Sequence, residues 1–350
     1  MSNTVGTVLR LSIFGQSHAP EIGMTLENFP SGFAPDMEEL QAFMKRRAPG
    51  QGPHTTSRRE PDVPEFDSGL ENGVTNGELI RAIIRNTNTQ SKDYGNLQDM
   101  PRPSHADYPA RIKYGEAFDI RGGGQFSGRM TAPMCIAGGL ALQYLEKMGI
   151  LIGAQIQRIG GVENPRFDPI LPEIPSKFAE TTEEMLQEIA VAKADGDSVG
   201  GIIECAVTGL PVGLGEPMFG GLENRLAQIL FGIPAVKGVE FGSGFDCAQM
   251  RGSQHNDQYY VNEKGCVRTH TNHAGGILGG LSTAMPLIFR VAIKPTPSIA
   301  KPQESIYFSG GSGILEIKGR HDPCIVPRAV PVVEAAAAIA ILDSILEARL

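Results

Sequence analysis

The end of the chain constrains its fold most. Residues 329–350 are the strongest helical stretch, rich in alanine, with Glu334, Asp343 and Glu347 at the polar positions of an apolar run. A second helix is expected over 132–148, where glycines and small residues point to burial and close packing. The richest apolar stretch, 325–342, carries Pro327, Arg328, Pro331 and Glu334, so no membrane span is expected. Around these helices, 5–14 and 22–29 read as a strand pair, and 201–208, 236–241 and 287–293 as further strands. Asp36 and Thr181 each begin a capping box, the first opening a helix that ends near Arg46 and Arg47. Residues 165–175 read as a surface loop. Strand, Gly/Pro turn and helix recur in 23–47 and 201–231, which leaves an internal duplication open.

Strands and helices do not alternate as a doubly wound sheet requires, and no composition break cuts the chain. A single α+β domain over 1–350 is therefore expected, although 350 residues could make two. Glycine (43) and proline (25) exceed their usual share without reaching low-complexity levels, so the glycines serve turns and close approaches. Five scattered cysteines, odd in number, fit reduced thiols. The start of the chain has neither the basic head nor the apolar run of a signal peptide, so a cytoplasmic protein is expected. A net charge of −8 argues against nucleic acid or an anionic membrane as partner. Residues 40–130 nevertheless hold 13 Lys/Arg against 11 Asp/Glu, clustered at 45–47, 58–59 and 102, which suits a small polyanionic ligand.

Several short motifs can carry chemistry. Gly15-Gln16-Ser17-His18 ends a strand, but Pro20 and another strand follow, which excludes a serine-hydrolase elbow. Taken alone, His18 reads as a hydrogen-bonded structural histidine. His105 stands among Arg102, Asp107 and Tyr108, any of which could orient or charge its ring. The loop 121–129, with Gly122, Gly123, Gly124 and Gly128, could admit an anion or a flat cofactor, yet the polar 114–119 before it speaks against a Rossmann unit. Paired glycines at 275–276 and 279–280 read either as tight packing or as bare backbone for a flat ligand. Lys294-Pro295-Thr296-Pro297-Ser298 offers donors to phosphate. Arg320-His321-Asp322-Pro323-Cys324, together with His270 and His273, has no convincing metal spacing, and no metal is expected.

Taken in order, these motifs resemble chorismate synthase. They are G-x-S-H, R-x-P-G, T-T-x-R-R-E-P-D, R-P-x-H-A-D-Y, R-G-G-G, N-H-A-G-G-I-x-G-G, K-P-T-x-S and G-R-H-D-P-C. The resemblance runs from about Gly6 to the final helix and is thinnest over 160–197. It implies a β-α-β-α sandwich, usually a homotetramer, that converts 5-enolpyruvylshikimate 3-phosphate to chorismate by 1,4-anti elimination with reduced FMN and no net redox change. Whether NADPH reduces the flavin on this protein or an outside reductase does so stays open.

By the same resemblance, His18 serves the leaving phosphate as general acid, His105 acts at flavin N1 and O2, and Asp322 relays the proton taken from substrate. Ser17 and Ser127 support this network. Gln125, Phe126, Ser127, Gly279, Lys294, Pro295, Thr296, Pro297, Ser298 and Arg320 would contact flavin. Arg47, Arg129 and Arg320 would meet substrate, with Arg46 and Arg58 as further candidates. Gln16, Ala19, Pro53, Pro109 and Gln125 depart from the residues many members carry; Gln16 deprives His18 of a neighbouring charge. A nicotinamide-dependent oxidoreductase using the glycine loop, and a non-catalytic binder of a phosphorylated metabolite, are the competing readings.

Overall fold

The computed structural model describes residues 3–50, 60–87, 99–174, 181–317 and 321–348. Two five-stranded antiparallel sheets enclose the long helices. The first runs Thr4–Val5, Arg10–Gly15, Glu21–Glu27, Ile80–Arg85, Glu65–Ser68, and the second Val236–Phe241, Leu287–Ile293, Gly201–Thr208, Leu151–Ile159, Val162–Glu163. The central helix Thr131–Lys147 packs on the first sheet, and the terminal helix Val326–Ala348 on the second. The two helices also pack on each other, so the chain order sheet, helix, sheet, helix becomes a four-layer sandwich with both helices inside. This is the expected α+β sandwich; every pairing in the two large sheets is antiparallel, unlike a Rossmann sheet.

Small residues make the inner layers thin. A Cβ on Gly138 would lie 2.2 Å from the Cβ of Ala335, and one on Gly139 would lie 2.5 Å from Leu40 Cδ1 in the helix Met37–Arg47. The terminal helix is long and apolar enough to cross a membrane, but 94% of its apolar window is buried in the fold, which makes it a core helix.

The expected strands at 201–208, 236–241 and 287–293 form within those bounds. The expected strand over 5–14 is broken. Gly6 turns at φ +100°, and the amides of Thr7, Val8 and Leu9 donate to the Asp343 carboxylate, at 2.8 Å for Val8 and Leu9, in place of a ladder. Asp343 and Glu334, read as polar positions of the last helix, are in fact buried at 3% and 5% exposure. Asp343 also pairs with Arg225 at 3.1 Å. Glu334 takes Arg46 bidentately at 2.5 and 2.9 Å and the Ala154 amide at 3.1 Å, tying the first helix to the second sheet.

Two caps differ in detail. Asp36 accepts from Glu38 N and Glu39 N, but its own amide goes to Gln143 Oε1 at 2.8 Å, so Gln143 completes the box instead of Glu39. The helix Glu183–Ala194 is capped by Thr182, one residue later than expected. All five cysteines are free. Burial pushes the Cys135 and Cys324 thiols up to about 12, so both are inert packing groups.

Removing Asp343 leaves three amides and a guanidinium short of their acceptor. Asp343→Ala should cost about 3–5 kcal/mol, the range for breaking a buried charged pair, read as a lower urea midpoint at unchanged slope. A loss below about 1 kcal/mol would remove Asp343 from this role.

Candidate active site

A cleft of about 680 Å³ opens at one end of the helix layers, within the roughly 300–1,000 Å³ usual for cofactor sites. The central and terminal helices both begin there, with Thr131, Ile325, Arg328 and Ala329 on its wall. Their N-terminal dipoles favour negative charge in the cleft.

The glycine loop sets the two histidines. Gly122, Gly123 and Gly124 are consecutive left-handed residues at φ +59°, +83° and +54°. A Cβ on Gly122 would lie 2.5 Å from Ser17 Oγ and the His18 ring, and one on Gly123 would lie 3.1 Å from His105 Nε2. The two rings thus pack on neighbouring residues of one backbone turn.

His18 is held by the turn around it. Ser17 N donates to Gly124 O at 3.2 Å, and Asn86 Nδ2 to Ala19 O at 2.7 Å. Gln16 removes a charge but supplies a hydrogen bond to Asp119 Oδ2 at 3.3 Å. Hydrogen bonds from Arg121 hold the Asp119 carboxyl below its usual range, with the nearby His18 adding to the effect. An acid therefore does stand near His18, contributed by another segment.

Asp107, fully buried, orients His105. Its Oδ1 lies 2.5 Å from His105 Nδ1, while Arg102 Nε and Nη2 donate to it at 2.7 and 2.8 Å. A carboxylate this close requires a proton between the atoms, so Nδ1–H donates and Nε2 is the working nitrogen. Burial, helped by Arg102 and Lys294, outweighs Asp107 and lowers the His105 pKa below 6.5. His105 is neutral near pH 7 before an anion binds.

Asp62 joins the two arginines expected at the substrate. It is fully buried, accepts Arg47 Nη1 at 2.9 Å and also pairs with Arg129. Burial would raise its pKa, but Arg47 and Arg129 outweigh this and lower it. Arg47 also donates to Thr131 Oγ1 and Gly128 O. Arg129 Nε donates to Asn86 Oδ1 at 3.0 Å, leaving its buried Nη2 without a partner among the described residues. Asp322 pairs with Arg328, whose Nε donates to Arg47 O at 3.0 Å.

Of the expected site residues, Ser17, His18, Arg47, His105, Gln125, Phe126, Ser127, Arg129, Lys294, Thr296, Pro297, Ser298 and Asp322 line this cleft. Arg46, Pro295 and Gly279 do not. Arg46 is turned to Glu334, and Arg58 and Arg320 lie outside the described residues. Gly275, Gly276 and Gly280 are packing devices rather than bare floor, whereas a Cβ on Gly279 would meet nothing within 4 Å. A Cβ on Gly275 or Gly276 would strike the backbone of Gly242 or Pro286, and one on Gly280 that of Glu216. Asp62, Glu60, Arg328 and Lys237 are on or under the walls without having been assigned from sequence. Arg328 is a lone cation in an apolar helix, a signal open to sequence, whereas Asp62 lies within a quoted motif that does not show its partners.

These residues fit the implied flavin. Phe126 is 39% exposed on the wall, the buried Thr296 Oγ1 has no partner among the described residues, and most donors are cationic. The glycine loop follows no strand, and its Gly122 and Gly123 face protein side chains, which removes the support for a nicotinamide fingerprint.

A family model described as chorismate synthase matches residues 9–346. Among curated relatives, the chorismate synthase of Lancefieldella parvula is 44% identical, covering 99% of this chain and 96% of its own. That of Korarchaeum cryptofilum is 45% identical, with 97% and 96% covered, and that of Thermococcus gammatolerans 44%, with 98% of each. A crystal structure of chorismate synthase superposes with a TM-score of 0.75 at 28% identity, covering 98% of this chain and 93% of that one.

Asp62 and Asp107 titrate below the ordinary 3.8 in the folded chain. Their stabilisation is therefore complete above about pH 4 and falls away as pH drops through the lowered values. Asp107→Asn should flatten this acid limb in urea unfolding between about pH 5 and about pH 2. It should also move the His105 titration, followed by NMR, further below 6.5. An unmoved His105 would break the pairing.

Proposed function

The chain belongs to the chorismate synthase family, and we propose how its cleft carries out the family's reaction. It is a shikimate-pathway lyase that converts 5-enolpyruvylshikimate 3-phosphate to chorismate and phosphate. A bound reduced flavin supplies electron density to the reacting ring without net redox change; FMN is the form proposed here. The observation that carries the residue assignments is the placing of His18 and His105 on adjacent glycines in the cleft that also holds Arg129 Nη2, an atom without a partner among the described residues.

Arg129 and Arg47 receive the substrate's anionic groups, Nη2 of Arg129 offering a buried donor that needs no reorganisation. His18 donates a proton to the departing phosphate, and Ser17 holds the turn that presents it. His105, its Nδ1–H held by Asp107, would offer Nε2 to a bound flavin and could take up a proton there. Asp322, paired with Arg328, carries away the proton lost from the ring, so the substrate loses one proton and one phosphate. Gln125, Phe126, Ser127 and residues 294–298 form the flavin wall, with Ser127 also capping the turn at Arg129.

The proposal extends to one catalytic domain in a cytoplasmic homotetramer. Supporting assembly, Phe219 and Phe245 expose 86% and 84% of their surface.

Anaerobic incubation with reduced FMN and substrate should release phosphate and chorismate in equal amounts; no release would sink the assignment. His18→Ala and His105→Ala should each lower turnover roughly 10²–10⁴-fold. Asp322→Asn should slow turnover at unchanged flavin affinity. Wild-type rates in any variant would remove that residue from the mechanism.

A further inference from the structure

Asn86 is not among the residues that line the cleft, yet it bonds the neighbourhoods of two that are, His18 and Arg129. It follows the strand Ile80–Arg85, and its own amide donates to Pro20 O at 2.9 Å, which carries the pairing of Arg85 with Glu21 one bond further, into the turn that presents His18. Its side chain holds that turn a second time. Nδ2 donates to Ala19 O at 2.7 Å and lies 3.4 Å from Ser17 O. On the other side, Oδ1 accepts from Arg129 Nε at 3.0 Å. Chemistry dictates this orientation of the amide. A guanidinium only donates and a carbonyl only accepts, so a flipped carboxamide would lose both contacts.

Arg129 is thereby fixed on two edges. Nη1 pairs with the buried Asp62 and Nε with Asn86, and a guanidinium is planar, so the direction of its remaining nitrogen is set. That nitrogen, Nη2, is buried and has no partner among the described residues. An anion received there stands at one end of a short chain of bonds, from Arg129 through Asn86 to Ala19 O, whose other end is the residue next to His18. The following residue anchors the junction from below: Thr87 N and Oγ1 donate to Glu60 Oε2 at 3.3 and 3.0 Å, and Glu60 is buried.

The turn itself has other supports. The backbone ties Asn86 to Pro20 and Ser17 to Gly124 O, and both bonds survive without the carboxamide. What the carboxamide adds is the tie between turn and arginine. Proton transfer to a departing oxygen is steep in distance, and a misplacement of about 1 Å costs on the order of 10²-fold. Such a tie bears on rate more than on fold.

We infer that Asn86 is a positioning residue that sets His18 at proton-transfer distance from the phosphate held by Arg129, an inference that rests on the roles given to His18 and Arg129 above. A double-variant cycle with His18 tests it, reading anaerobic phosphate release at saturating substrate and reduced FMN. Asn86→Ala should lower that rate roughly 10–100-fold. In the His18→Ala background the same change should cost less than about threefold, because a missing proton donor cannot be misplaced. Asn86→Asp has the same size and keeps an acceptor for Arg129 but lacks the Nδ2 donor, so it should be as slow as Asn86→Ala. Affinity for oxidised FMN, followed by flavin fluorescence, should stay within about twofold of the wild type in each variant. Wild-type turnover in Asn86→Asp, or equal losses from Asn86→Ala in the presence and absence of His18, would overturn the proposal. Loss of FMN binding together with turnover would make Asn86 a structural residue and also overturn it. Wild-type turnover in His18→Ala alone would remove the His18 assignment itself, an outcome distinct from failure of Asn86.

Discussion

The contact of the central and terminal helices, backbone against backbone where Gly138 meets Ala335, is the constraint on which the other layers depend. A side chain at 138 would part the helices and, with them, the two sheets each helix supports. Glu334 and Asp343 fasten the same terminal helix at its sides. One reaches Arg46 and the second sheet, the other the amides of the first strand's break and Arg225. Because both helices start at the cleft, this seam also sets how far Thr131 stands from Arg328, and Arg47 touches both neighbourhoods.

The cleft's cations are mostly held before any ligand arrives. Asp62 fixes Arg47 and Arg129, Asp107 fixes Arg102 and His105, and Asp322 holds Arg328. Each carboxylate removes part of the positive field but fixes its direction, which is what an electrostatic site requires when charge develops on a departing phosphate. Among the described residues, Arg129 Nη2 and Thr296 Oγ1 are the buried polar atoms of Arg129 and the 294–298 wall that these pairings leave without a partner.

Local pattern carried much of this, and distance limited the rest. The strands at 201–208, 236–241 and 287–293 and the small-residue helix were legible because periodicity and turns are properties of a short window. The motifs also named most residues of the cleft wall. Glu334 and Asp343 were misplaced because a helical pattern shows a polar position without showing its partner; for Asp343 the partner amides lie more than 330 residues away. The same blindness affected Asp62. Its role is visible only once Arg47 and Arg129 converge from the end of one helix and the approach to another. Paired glycines declare that something comes close, but not whether it is ligand or protein, and at 275, 276 and 280 it is protein backbone.

Gly122 and Gly123 show what that close approach accomplishes at the site. Successive left-handed residues turn the chain tightly enough for its two faces to meet different histidines. The separation of His18 from His105 is then fixed by a two-residue piece of backbone, which varies far less than the reach of two side chains. Each ring keeps its own carboxylate neighbourhood, Asp119 for His18 and Asp107 for His105, while sharing one cleft. A side chain at Gly122 would strike Ser17 and His18 and one at Gly123 would crowd His105, so either would erase that spacing.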